Sequence, residues 1–307
     1  MESIATNPVE MLRRQATCLE AAISVSLATP TRKVVHQLRS ETRRIEAELD
    51  LLRSMHGIPP RQSSKVKLER RLRKLRRFAG WVRDCDIQRK LLQNSKSSLA
   101  TLSDSEPALQ EIVAQLRKGL RRRRRRAETK LLHLLEKHRT KLARDLEAVL
   151  TALKPREHMN LSPLEMLAPI ERRFFRLLRS RKVDEGRLHD IRKAAKHARY
   201  QCEALPGPEA AAFAKQLERL QDAGGTWHDL LLLAEHSGKK LNASHPITNL
   251  LQQRRDEHLR RYLEVLDNFR NRHAARLPAT RRNTHRSRPA AQDSVRVTSH
   301  RRAAGGV

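Results

Sequence analysis

Val35-His36-Gln37-Leu38-Arg39-Ser40-Glu41-Thr42-Arg43-Arg44-Ile45 is the stretch on which the reading of the chain turns. Wound as a helix, it places His36, Arg39 and Arg43 on one face and Val34, Leu38, Ile45 and Leu52 on the opposite one. One side is suited to packing, and the other displays cations a turn apart. A second stretch, Leu188-His189-Asp190-Ile191-Arg192-Lys193-Ala194-Ala195-Lys196-His197-Ala198-Arg199-Tyr200, puts His189, Arg192 and Lys196 in the places of His36, Arg39 and Arg43. The offset between the two is 189 − 36 = 153.

Helical periodicity continues on both sides. Leu12, Ala16, Leu19, Ile23 and Leu27 predict a helix from Pro8 to about Ala28. Thr29 before Pro30 reads as an N-cap with proline at the first helical position, so the opening motif is expected in a helix from Pro30 to Met55. A third helix is predicted from Gln62 to Gln93, with Gly80 marking a kink or a close helix approach. Asn94 to Pro107 reads as a loop. Pro107 to Leu153 predicts a long helix, bent or broken near Gly119. It carries Arg121, Arg122, Arg123, Arg124, Arg125 and Arg126, a run that surrounds the helix and is expected to project into solvent or meet an anion. After the polar segment at 155–162, further helices are expected at 163–180, 185–205, 209–237 and 246–276. Residues 277–307 are rich in Arg, Ser and Thr and predict a basic disordered tail.

A second pair of motifs follows the first. Gly80-Trp81-Val82-Arg83-Asp84 is echoed by Gly225-Thr226-Trp227-His228-Asp229, at an offset of 228 − 83 = 145. Two ordered motifs at nearly one offset suggest duplication of a helical unit. By helix count the chain is expected to be all-α, two four-helix bundles over about 8–154 and 162–276 related by a pseudo-twofold. His36, Arg39 and Arg43 would then confront His189, Arg192 and Lys196. Arg83-Asp84 and His228-Asp229 read as interhelical network residues, and Trp81 and Trp227 as core fillers.

Composition narrows the class. The 307 residues include 65 Lys and Arg against 34 Asp and Glu, a net charge of +31. Aromatic residues make up 3% and hydrophobic ones 38%, which favours helices packed through Leu and Ala over a sheet protein. Unbalanced charge of that size repels itself, so a polyanion is the natural complement: DNA, RNA, inorganic polyphosphate or an anionic membrane surface. Charge alone does not choose. Cys18, Cys85 and Cys202 form no Cys-x-x-Cys pair, which argues against a disulfide framework or thiolate zinc site and fits a cytoplasmic location. No leader pattern or spanning apolar run is seen. The chain lacks a phosphate-loop glycine pattern, a His-Glu-x-x-His and an acidic cluster for magnesium. No catalytic residue, metal or cofactor is therefore expected.

Taken together, Val35-His36-Gln37-Leu38-Arg39 with Arg43-Arg44, Gly80 to Asp86, Leu188 to Arg192 with Ala194-Ala195-Lys196 and Arg199-Tyr200, and Leu220 to Gly225 with His228-Asp229 resemble the CHAD family, the conserved histidine α-helical domain. The resemblance covers roughly residues 8 to 276. It departs from the usual pattern at Ser40-Glu41 and Asp190. It implies paired four-helix bundles and non-catalytic binding of inorganic polyphosphate, with association with polyphosphate granules as a further expectation. The implied binding residues are His36, Arg39, Arg43, Arg44, His189, Arg192, Lys193, Lys196, Arg199 and Tyr200, and the arginine run, outside the family motifs, is a candidate secondary patch by its charge alone. Nucleic-acid binding, with nucleic acid as the competing polyanion, and an accessory role beside an enzyme of phosphate metabolism are the alternatives.

Overall fold

Each run of leucines and alanines at helical spacing is a helix in the structure, a computed structural model that describes residues 7–56, 63–94, 107–154, 161–180 and 183–276. Among these residues the order is α1 (Pro8–Ala28), α2 (Arg32–His56), α3 (Ser63–Asn94), α4 (Pro107–Leu153), α5 (Pro163–Leu178), α6 (Glu185–Glu203), α7 (Pro208–Leu241) and α8 (Pro246–Arg272), closed by a 3-10 turn at Ala274–Arg276. The expected basic tail, and nearly all of the loop expected after Asn94, lie outside the described residues.

Helix ends follow local chemistry. The Asn7 side chain accepts from the Val9 and Glu10 amides at 2.9 and 3.1 Å and starts α1. Ser162 and Glu165 form a reciprocal capping box on α5. The start of α2 differs from expectation by two residues. Thr29 closes α1, its N–H donating to Val25 O at 2.9 Å, and Thr31 takes over the cap, its Oγ1 accepting from the Val34 amide at 3.3 Å.

α1 to α4 pack in a ring around Leu12, Leu19, Leu38, Ile45, Leu72, Leu131 and Leu146. α5 to α8 enclose a second core, where Phe174 meets Phe269 edge to face with ring centroids 5.6 Å apart. The bundles meet through α2 against α5 and α6, and α3 against α7. α2 is therefore buried on two sides. Val35, Leu38, Ile45, Leu49 and Leu52 belong to the first core, whereas Leu51 belongs to the second, and the Ala47 carbonyl accepts from buried Gln201 Nε2 at 3.0 Å. A third cluster explains the length of α4. Its Leu109, Leu116 and Leu120 pack with Leu92 of α3, Leu233 of α7 and Ile247 and Leu251 of α8. The helix runs 47 residues without the break expected near Gly119, which stands in open space.

Both sequence offsets carry over into burial. At 153, Leu38 pairs with Ile191, Ile45 with Ala198, Leu49 with Cys202 and Leu52 with Leu205, all buried. Across the bundle contact, Arg44–Glu203 at 3.5 Å and His197–Asp50 at 3.1 Å exchange under the same offset, since 44 + 153 = 197 and 50 + 153 = 203. At 145, Leu72 pairs with Leu217, Leu75 with Leu220 and Val82 with Trp227. The last pair corrects the reading of the tryptophans. Trp227 matches Val82 and is 1% exposed, whereas Trp81 stands one residue, about 100° of helix, away from that register and is 37% exposed. The close-packed glycine of α7 is also Gly224 rather than Gly225. A Cβ there would lie 2.7 Å from the Tyr262 ring, whose hydroxyl donates to Leu188 O at 3.1 Å, while Gly225 has open space.

Two stability outcomes follow from these contacts. Gly224→Ala must displace Tyr262, and is expected to destabilise by about 1–3 kcal/mol in urea unfolding despite the better helix former. Glu48 is 5% exposed with Oε2 unpartnered, and burial pushes its carboxyl from the ordinary 4.5 up to about 8. Its protonated form is the one the fold favours, so wild-type stability is full below 4.5 and falls as pH rises through 8. Glu48→Gln is expected to match wild type near pH 4.5 and to unfold at higher temperature at pH 8–9, a gain of roughly 2–4 kcal/mol in thermal melts.

Candidate anion-binding site

α2 and α6 bring Arg39, Arg43, Arg192 and Lys196 to the junction of the bundles, each half-buried. Burial, then Arg43, Arg39, Arg199 and Arg192 in turn, depress Lys196 to about 6. Burial and then Arg39 also weigh against the charge on Arg43, with Arg76 and Arg192 adding to the repulsion. The Nε atoms of Arg43 and Arg192 are buried without hydrogen-bond partners. Cations are normally buried only when paired, so this cluster is short of negative charge.

Two carboxylates stand nearby. Asp84 of α3 lies 3.9 Å from Arg39. Asp229 of α7 faces Arg192, with Arg83 and Arg39 acting on it more weakly, and is raised to about 6 by burial, in part by the Asp84 charge. Arg83-Asp84 and His228-Asp229, read as interhelical network residues, thus lie beside the same cation cluster. Gly80 permits the arrangement, because a Cβ there would collide with Arg39 Nη1. His36 keeps much of its surface exposed at the rim, and is lowered to about 4 by partial desolvation first and then by Arg83, Lys196 and Arg39. His228 is lowered to about 4 by burial and Arg192, and its ring is 4.7 Å from that of His189, which is also lowered. All three shifts favour the neutral imidazole in the free protein.

The remaining expected residues divide differently. Arg44 is held by Glu41 at 3.0 Å and Glu203 at 3.5 Å. Arg199 is held by Glu218 at 2.8 Å and Glu203 at 3.2 Å. Lys193 is exposed and paired with Asp190 at 2.7 Å. Tyr200 is 3% exposed, and its ring lies under Arg44, Lys196 and Arg199 at 5.5, 5.8 and 5.1 Å. It therefore organises cations through its face. These four surround the convergence and steady it, whereas His36, Arg39, Arg43, His189, Arg192 and Lys196 form it.

The arginine run is not free on all sides. Arg124 donates from Nε to Asp86 at 2.9 Å and from Nη2 to Pro30 O at 3.0 Å, and it also pairs with Glu128. It fastens α4 to α3 and to the α1–α2 turn, because α4 lies against the bundle along that line. Arg121, Arg122, Arg123, Arg125 and Arg126 are exposed, and Arg123 acts electrostatically on Asp84.

Sequence reading missed Arg76, which pairs with Glu46 and lines two neighbouring cavities of about 570 and 550 Å³, both also lined by Arg43. The signal was available in Arg70-Arg71-Leu72-Arg73-Lys74-Leu75-Arg76-Arg77, whose basic residues recur at helical spacing on α3. Among the described residues no His, Cys, Asp and Glu group is placed to hold a metal ion, and no helix is long and apolar enough to cross a membrane.

Comparison with known proteins places this geometry. The chain resembles the crystal structure of the CHAD domain from the plant Ricinus communis, with a TM-score of 0.59 and 19% identity over 88% of this chain and 92% of that one. It also resembles PptA from Streptomyces chartreusis, with a TM-score of 0.60 and 15% identity over 85% of this chain and 97% of that one. No curated protein matches it. The CHAD domain family model matches residues 10–238, which spans α2, α3, α6 and most of α7, and the chain belongs to the CHAD family.

Proposed function

We propose that this chain binds inorganic polyphosphate without catalysing its turnover, and that the site is the junction of α2 and α6. The observation that carries this reading is the cluster of Arg39, Arg43, Arg192 and Lys196, with two buried guanidinium Nε atoms unpartnered. The association of the CHAD family with polyphosphate supports it. A chain of phosphates supplies closely spaced anionic oxygens, which accept from the two Nε–H groups and offset the mutual repulsion of the cations. Arg gives forked bonds and Lys a mobile point charge. Counterion release makes the affinity fall steeply with salt. Binding of this kind is also the means by which the protein would associate with polyphosphate granules.

Joint replacement of His36, Arg39, His189 and Arg192 by Ala is expected to weaken long-chain polyphosphate binding by about tenfold or more, with helical content by circular dichroism unchanged. Unchanged affinity would move the site to the exposed arginines of α4 or to the tail, and would favour the nucleic-acid alternative if duplex DNA or single-stranded RNA then bound equally well. Gly80→Ala separates binding from folding. Its Cβ displaces only the flexible end of Arg39, so stability is expected to hold or rise by about 1 kcal/mol while polyphosphate affinity drops.

The pH dependence has a defined sign. A bound anion raises the Lys196 pKa above its free value of about 6, so affinity is greatest below pH 6 and declines as pH rises from there towards the bound-state value. Each unit of that rise is worth about tenfold in affinity. Titrations from pH 5.5 to 8 are expected to show this decline, and Lys196→Arg, which stays charged, is expected to flatten it.

A further inference from the structure

The cationic surface does not stop at the junction. On α3, Arg70, Arg73, Lys74 and Arg77 join Arg39, Arg43 and Arg76 in lining a trough of about 550 Å³ whose acidic lining residue is Asp84. All four are exposed, and among the described residues none of them is ion-paired. The Arg77 guanidinium lies 5.7 Å from the centroids of both Phe78 and Trp81, whose rings are 4.5 Å apart. The aromatic pair braces a cation at the trough, which accounts for a tryptophan left at the surface.

The corresponding face of α7 is different. At the offset of 145 that matches the buried positions of the two helices, 70 + 145 = 215, 73 + 145 = 218, 74 + 145 = 219 and 77 + 145 = 222. These are Lys215, Glu218, Arg219 and Asp222, again all exposed. Four cations on α3 thus correspond to two cations and two acids on α7. Glu218 is engaged by Arg199 at 2.8 Å, and Asp222 accepts from Gln221 at 3.1 Å. A polyanion leaving the junction meets attraction on one bundle and a near-neutral surface on the other.

We propose that polyphosphate leaves the junction over α3 alone, and that Arg70, Arg73, Lys74 and Arg77 form an extension subsite reached only by long chains. This rests on the polyphosphate reading above. From Arg70 to Asp84 the helix rises about 21 Å, so a short oligophosphate held at Arg43 and Arg192 leaves the far end of the trough empty. Affinity therefore increases with chain length through contacts on the first bundle.

The test compares two variants of the full chain: Arg70→Gln, Arg73→Gln, Lys74→Gln and Arg77→Gln together, and Lys215→Gln with Arg219→Gln. Each is titrated with tripolyphosphate and with long-chain polyphosphate over a salt series. The α3 variant is expected to lose about tenfold or more for the long chain and about 2–3 from the slope of log affinity against log salt, by analogy with single-stranded nucleic acid. Its tripolyphosphate affinity is expected to stay within about twofold, and the α7 variant to change neither ligand by more than that. An α3 variant that keeps its long-chain affinity, that weakens both lengths equally, or that is matched by the α7 variant overturns the one-sided path. Failure of the wild-type chain to bind either ligand would instead overturn the polyphosphate reading itself.

Discussion

Everything in this structure is arranged around the repulsion among cations where α2 crosses α6. Arg39, Arg43, Arg192 and Lys196 are held together at partial burial, an unfavourable placement for isolated charges. Packing imposes it. Leu38 and Ile45 fix α2 in the first core, Ile191 and Ala198 fix α6 in the second, and the Gln201–Ala47 hydrogen bond together with the Arg44–Glu203 and Asp50–His197 pairs locks the crossing. The helices cannot turn their charged faces to solvent without uncovering those cores. The donors at the junction are therefore held in place by the packing of the two cores, the preorganisation that the proposed anion site requires.

The acids beside the cluster moderate this repulsion without abolishing it. Asp84 lies at the edge of ion-pair distance from Arg39, and burial together with the Asp84 charge raises Asp229 to about 6. Farther out the pairing is tighter: Glu41 and Glu203 hold Arg44, and Glu218 and Glu203 hold Arg199. Arg44 and Arg199 are thus neutralised by carboxylates beside a junction whose own half-buried cations are not. The departure at Ser40-Glu41 fits here, since buried Glu41 anchors Arg44 and accepts from Gln15.

The helices and the two His-x-x-Arg faces were legible because period 3.6 and a repeated spacing survive in one sequence. What was not legible depended on neighbours. A sequence shows that α2 has an apolar face, but not that Ala47 and Leu51, on a second face, are covered by another bundle. Arg44, Lys193 and Arg199 looked like Arg39 and Arg43 because their carboxylate partners are set by tertiary packing or by rotamer. Arg124 looked exposed because a six-arginine run surrounds any helix, and only the path of α4 decides which of them meets Asp86. Trp81 and Trp227 were both read as core fillers, whereas Trp227 shares the buried register of Val82 and Trp81 stands outside it.

The most direct test of the central claim is an experimental structure of the chain with long-chain polyphosphate bound. Phosphate oxygens are expected within hydrogen-bond reach of Arg43 Nε and Arg192 Nε at the junction of α2 and α6. Phosphate found only along Arg121, Arg122, Arg125 and Arg126 of α4, with the junction unaltered, would contradict it.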